Sequence, residues 1–224
     1  MTVAAVVLAA DLATALHAVD GVPNARRLVD AAWAGGALPV VVVAADPDGA
    51  VAAALSGSVA VLAAPAPGAA GPVGQACRGI DVARAEVDAT TAALVWPARM
   101  GWVDAETVTS LIEAHGTDPS ALLRPAFRGQ AGWPALVPIV HLEAFRALDP
   151  GLAPGALVDA LAATVGIRLV ELGDPGATYD LDTPRDDLPP FEGPPEPPAG
   201  RHHEWGSPAA AGPDEPPEPP RTAG

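Results

Sequence analysis

Val3-Ala-Ala-Val-Val-Leu-Ala9 is an unbroken apolar run close to the start of the chain. A strand with one face in water alternates apolar and polar side chains. A short, valine-rich run without alternation reads instead as a strand covered on both faces. A second such run, Val40-Val-Val-Val-Ala44, repeats the pattern. Between them, Asn24–Ala34 places Leu28, Val29, Ala32 and Trp33 on one helical face and stops at Gly35-Gly36. Strand, helix and strand in this order imply a crossover and parallel pairing.

The alternation continues. Asp48 is expected to cap a short helix through Leu55, and Val59–Ala63 reads as a third strand. Gly71–Ala85 reads as a turn and a helix, and Ala92–Val95 as a strand. Asp104–Ala114 reads as a capped amphipathic helix with acids in its first turn. The second half is more mixed. Leu122–Phe127 and Leu136–Val140 form a candidate β pair around Gly129–Gly132. Helices at Leu142–Leu148 and Ala156–Thr164 and a last strand at Ile167–Leu172 follow. The expected fold is a three-layer α/β domain over residues 1–188 with a mostly parallel sheet. After Leu188 the composition breaks. Residues 189–224 hold twelve prolines and almost no aliphatic side chains. Such a segment buries too little surface to offset its ordering entropy, and an extended or disordered tail is predicted.

The chain of 224 residues is long enough for one domain with a full core. All twelve basic residues are arginine, and the net charge is −15. Six acids and two arginines in 189–224 account for −4, leaving −11 in the body. That surface repels phosphate backbones and anionic lipid, so neither nucleic acid nor membrane is an expected partner. No apolar run approaches the roughly 18 residues of a membrane span. No basic residue precedes Arg26, so the first apolar run lacks the flank of a signal peptide. A cytoplasmic protein is expected. Cys77 stands alone, which excludes an intrachain disulfide, and it reads as a small core residue rather than a nucleophile. His17 and His115 have no sequence neighbours that would make a catalytic dyad.

Four further segments carry a family likeness: Val6–Ala10 with Asp20–Ala32 (DGVPNARRLVDAA), Gly71–Ile80 (GPVGQACRGI), Gly132–Leu136 (GWPAL) and Asp180–Leu188 (DLDTPRDDL). Through these, Val3 to Leu188 resembles the MobA-like NTP transferases, and most of all the guanylyl- and cytidylyltransferases that finish molybdenum cofactors. The resemblance implies a Rossmann-like, mostly parallel sheet of the nucleotidyltransferase (nucleotide-diphospho-sugar transferase) type. It also implies Mg²⁺, an NTP and a phosphorylated acceptor such as a molybdopterin. Gln75 and Arg78 fall on the segment similar to the family's base- and ribose-binding loop and helix.

Three departures bear on activity. The family's glycine-rich loop with its arginine and lysine is missing: Leu8-Ala9-Ala10 is followed by Asp11, and the loop is shorter. An acid there opposes a triphosphate. Arg99 stands where the resemblance places a metal-binding aspartate, and Trp133 replaces a histidine. Asp180 and Asp182 remain where a second carboxylate is implied. They are metal candidates, or Asp182-Thr183-Pro184 is simply a helix start. Trp96, Arg99 and Trp102 admit two readings. They clamp an anion or aromatic ligand by cation–π stacking, or the tryptophans fill an emptied cleft while Arg99 pairs with Asp180 or Asp182. His202-His203-Glu204 suggests a metal but lacks further ligands. Trp205 among prolines suggests a docking peptide for a protein partner, or a plain solubilising tail.

The expected function is a non-catalytic binding or regulatory relative. The first alternative is an active nucleotidyltransferase in which Arg26 or Arg27 replaces the lysine and Asp180 and Asp182 hold the metal. The second is an assembly module acting through the tail. The enzyme needs an open cleft near Asp11, Arg99 and Asp182; the non-catalytic relative allows a cleft packed with Trp96, Trp102 or Trp133.

Overall fold

In a computed structural model, which describes residues 2–193, strand β1 (Thr2–Ala9) sends its side chains alternately to two buried faces. Val3, Ala5, Val7 and Ala9 join one core cluster; Ala4 and Val6 join the other. A short helix α1 (Leu12–Leu16) and a two-residue hairpin of β2 (Ala18–Val19) and β3 (Val22–Pro23) lead into α2 (Asn24–Ala34). Then come β4 (Val40–Ala44), α3 (Ala50–Ala54), β5 (Val61–Ala63), α4 (Gly71–Glu86), β6 (Thr90–Pro97) and α5 (Ala105–Thr117). The second half holds β7 (Leu123–Phe127), β8 (Gln130–Ala131), β9 (Ala135–Pro138), α6 (Leu142–Arg146), α7 (Pro154–Val165) and β10 (Arg168–Glu171).

The strand order is β10-β7-β9-β6-β1-β4-β5, with β8 paired to β7. β1 lies parallel to both β4 and β6, with Val6 opposite Val41 on one side and Val95 on the other. One face packs against Leu28 and Val29 of α2, Val51 of α3 and Leu111 of α5. The other packs against Ile80 of α4, Phe145 of α6 and Leu161 of α7. Three layers result, with a buried core on each side of the sheet. Where α4 crosses β1, a Cβ on Gly79 would collide with Val6 Cγ1. The missing side chain sets how closely α4 approaches β1.

The sheet is mostly parallel, as expected, with β9 running antiparallel to β6 and to β7. Only a tight turn and β8 separate β7 from β9, too few residues for the crossover helix that parallel pairing requires. One expectation needs correction: Asp48 does not cap α3. Both oxygens of Asp46 accept there, from Val51 N and Ala52 N at 2.9 Å each, while Gly49 enters the helix at φ +72°.

Past Leu188 the described chain stays attached for a short distance. Glu192 N donates to Gly173 O at 3.0 Å, and Arg128 pairs with Glu192. His202, His203, Glu204 and Trp205 lie outside the described residues. Among those described, no helix is long and apolar enough to cross a membrane.

Candidate functional site

After β1 the chain crosses over to β4 and β5 on one side, then returns to β6 on the other. Such a reversal leaves a crevice beyond the carboxyl ends of the strands. A cleft of about 720 Å³ lies there, lined by Leu8 and Ala9 of β1, Val43 and Ala44 of β4 and Pro97 of β6. Loop residues including Ala10, Asp11, Pro65, Arg99, Leu181 and Asp182 complete its wall, together with Gln75 from α4.

Asp11 is the N-cap of α1. Its carboxylate accepts from Ala13 N and Thr14 N at 3.1 Å each and from Thr14 Oγ at 2.7 Å. Those hydrogen bonds, the Thr14 hydroxyl first, hold its pKa below the ordinary carboxylate value. Asn24, fully buried, ties two walls of the cleft together: its Nδ2 donates to Ala98 O at 2.7 Å and Thr14 O at 3.3 Å. Gln75 closes a two-point pairing with Ala66, accepting from its N–H at 2.8 Å and donating to its C=O at 2.9 Å.

Arg99 stands at the end of the cleft. Its Nη2 donates to Asp180 Oδ2 at 2.6 Å and to Asp182 Oδ2 at 2.7 Å, and its Nε donates to Asp180 Oδ2 at 3.0 Å. Asp180 Oδ1 in turn accepts from Asp182 N. The hydrogen bond and charge of Asp180 raise the guanidinium's pKa.

The sequence is matched over residues 5–164 by the model of the MobA-like NTP transferase domain. The chain belongs to this family. No curated protein sequence matches it. Among solved structures it is similar to a nucleotidyl transferase from Methanothermobacter thermautotroptrophicus, at 21% identity and a TM-score of 0.67, over 83% of this chain and 94% of that one. It is also similar to Rv0371C of Mycobacterium tuberculosis H37Rv in complex with manganese, at 20% identity and a TM-score of 0.62, over 84% and 95% of the two chains. A third is 2-C-methyl-D-erythritol 4-phosphate cytidylyltransferase from Thermus thermophilus, at 20% identity and a TM-score of 0.60, over 84% and 96%.

In this MobA-like domain the candidate residues divide. Asp11, Gln75, Arg99 and Asp182 line the cleft, and Asp180 stands behind Arg99. The rest lie elsewhere. Arg26 pairs with Asp30 at 2.9 Å and donates to Ser56 O. Arg27 lies 5.1 Å over the Trp102 ring. Arg78 donates to Ala64 O at 3.3 Å. Neither Arg26 nor Arg27 supplies the cleft with the cation that the active alternative needs.

The tryptophans do not fill the cleft. Trp96 points into the α2/α5 core, fully buried, and its indole donates to Met100 O at 2.9 Å. Trp102 donates to Asp180 O and Thr183 O at 3.0 and 3.1 Å, which moors the 180–183 segment. Trp133 packs with both core clusters under Arg124, 5.3 Å away. An indole N–H seeks an acceptor, and each of the first two finds a backbone carbonyl away from the cleft. The Trp96–Arg99–Trp102 clamp is not formed either: the cation over Trp102 is Arg27.

The Mg²⁺ that the family implies does not fit this site as it stands, because the Arg99 guanidinium already lies between the two carboxylates. Among the described residues, no three His, Cys, Asp or Glu side chains gather into a metal-holding group. Asp182-Thr183-Pro184 leads into a short 3₁₀ turn at Arg185–Asp187.

Sequence reasoning passed over Asp174 and Arg124, both almost fully buried. Asp174 accepts from Thr107 Oγ at 2.7 Å, Gly176 N at 2.8 Å and Asp104 N at 3.1 Å, and burial raises its pKa. It fixes the start of α5. Arg124 donates to Gly132 O at 2.8 Å and shapes the loop before β9. No sequence signal marks either, since their partners are distant. Cys77 is half-buried on α4, where burial pushes its thiol up to about 11, well outside the nucleophilic range.

Proposed function

We propose that this MobA-like chain is a binding or regulatory protein that keeps the nucleotidyltransferase fold without transferring nucleotides. One observation carries the reading: the Arg99 guanidinium bridges Asp180 and Asp182 at 2.6 and 2.7 Å. A metal ion in phosphoryl transfer exchanges ligands and bridges phosphate oxygens while the charge moves. A guanidinium is a fixed donor fork with no coordination sites to offer. The loop side agrees. The first N–H groups of α1 are taken by Asp11, a carboxylate belonging to the protein itself. In this proposal the Pro-rich segment from 189 onward docks a protein partner, a reading supported by its composition.

A second reading is favoured by the openness of the cleft, which leaves room for a ligand beside Asp11, Arg99 and Asp182. In it, the chain is an active nucleotidyltransferase with a rearranged site. Its substrates are an NTP and a phosphorylated acceptor such as a molybdopterin, and Arg99 withdraws when a divalent cation arrives. The names of two similar structures, a manganese complex and a cytidylyltransferase, fit that chemistry for those proteins.

A thermal-shift titration with CTP, GTP and ATP, each with and without Mg²⁺, separates the two. The binding-protein reading expects no Mg²⁺-dependent shift. Saturation to a hundred times the dissociation constant adds about 2.7 kcal/mol, which moves the midpoint by several degrees. Such a shift with any nucleotide overturns the first reading and names the donor.

A further inference from the structure

The polarity of the cleft is inverted relative to what a triphosphate needs. Three charged side chains line it: Asp11, Arg99 and Asp182. Arg99 is shared between Asp182 and Asp180, so three carboxylates face one guanidinium and the formal balance is −2. The first turn of α4, through Gly71, Pro72 and Gln75, also lines the cleft. A helix N-terminus contributes only about half a positive charge, so the balance stays negative. The net charge of −15 over the whole chain acts in the same direction.

Several hydrogen-bond donors beside the cleft are already engaged within the protein. Ala13 N, Thr14 N and the Thr14 hydroxyl serve Asp11. Ala66 N and the Gln75 amide serve each other's residue. Much of the wall is apolar: Leu8, Val43, Pro65, Pro72, Pro97 and Leu181. The volume, about 720 Å³, lies within the range of roughly 300–1,000 Å³ that holds a small organic ligand.

We infer that this cleft takes a small, apolar organic cation, its body against the proline and leucine wall and its charge on Asp11 and Asp182, and that it rejects anions of the same size. The inference rests on the binding-protein reading and specifies the ligand class of that site. The charge separates this occupant from a nucleotide, and the apolar wall separates it from a simple inorganic cation.

The test uses the full chain and two fluorescent probes, thioflavin T as the cation and 8-anilinonaphthalene-1-sulfonate as the anion. In low salt the cation is expected to saturate at one site, with the anion at least about tenfold weaker, the scale of one unscreened charge contact. Adding NaCl weakens the cation several-fold. Asp11→Asn with Asp182→Asn lowers cation affinity about tenfold; asparagine still caps a helix, so the fold is retained. Ala45→Trp, at an exposed position on the cleft wall, blocks the cation altogether. Equal or tighter binding of the anion overturns the inference, as does a cation that ignores both variants or a failure of the cation to bind. These failures leave the binding-protein reading intact, because that reading falls only to a Mg²⁺-dependent nucleotide shift.

Discussion

Arg99 decides the chemistry at the end of the cleft because one guanidinium satisfies two carboxylates that would otherwise repel each other. Both sides of the bridge reach solvent, so its contribution to stability is screened. Arg99→Ala should therefore cost about 1 kcal/mol or less in a urea titration. The same substitution leaves Asp180 and Asp182 side by side without a cation. Mn²⁺ is then expected to raise the melting midpoint of Arg99→Ala and to leave that of the parent unchanged. A parent shift as large as the variant's would show that Arg99 does not block the site. His115 makes a second prediction. It is fully buried on α5 with Thr91 Oγ 3.3 Å from its Nε2, and burial lowers its pKa from 6.5. The unfolded chain takes up this proton near 6.5; the folded chain does so only at lower pH. The contribution of His115 is present above that value and is lost as pH falls through the folded pKa. The stability loss from pH 7 to 5 should be shallower in His115→Gln, by at most about 1.4 kcal/mol per pH unit, as read from denaturation midpoints.

Elements were legible wherever their cause is local. The unbroken apolar runs correspond to β1 and β4, both covered on two faces, and the helix read over Asn24–Ala34 has those same ends. Asp104 caps α5, its side chain accepting from Glu106 N. The misassigned cap of α3 shows the limit. Asp48 stands nearest the helix, but Asp46 reaches over the Gly49 turn to two of its N–H groups. Asp46→Ala is expected to lower stability by about 1 kcal/mol, while Asp48→Ala leaves it unchanged within about 0.5 kcal/mol. Paired denaturation curves check this; equal effects would refute the assignment. The β2–β3 hairpin was overlooked although its turn is Asp20-Gly21, with φ of +53° and +78°. Asp-Gly is a strong signal for a two-residue hairpin turn. The strands beside it are only two residues long, too short to show a pattern.

At the scale of the whole molecule, charge and connectivity matter most. With a net charge of −15, self-repulsion opposes the folded state, and salt relieves it: the screening length is about 10 Å at 0.1 M. The melting midpoint should rise steadily with NaCl from low to moderate concentration. A flat or falling midpoint would mean that local ion pairs such as Arg146–Asp81 and Arg26–Asp30 outweigh the global field. Connectivity gives the cleft its place, since the return from β5 to β6 across β1 opens it at the ends of three parallel strands. The amino-acid sequence by itself determined the alternation of strand and helix, the doubly covered central strands, and an acid, Asp11, and an arginine, Arg99, in the loops that follow β1 and β6. Periodicity, capping and side-chain charge act within a few residues, so they are readable along the chain. Only the tertiary structure decided that the cleft stays open, that the tryptophans point away from it, and that Arg99 reaches Asp180 across 81 positions of sequence. Those outcomes depend on which strand lies beside which and on where each indole finds its acceptor, and packing settles both.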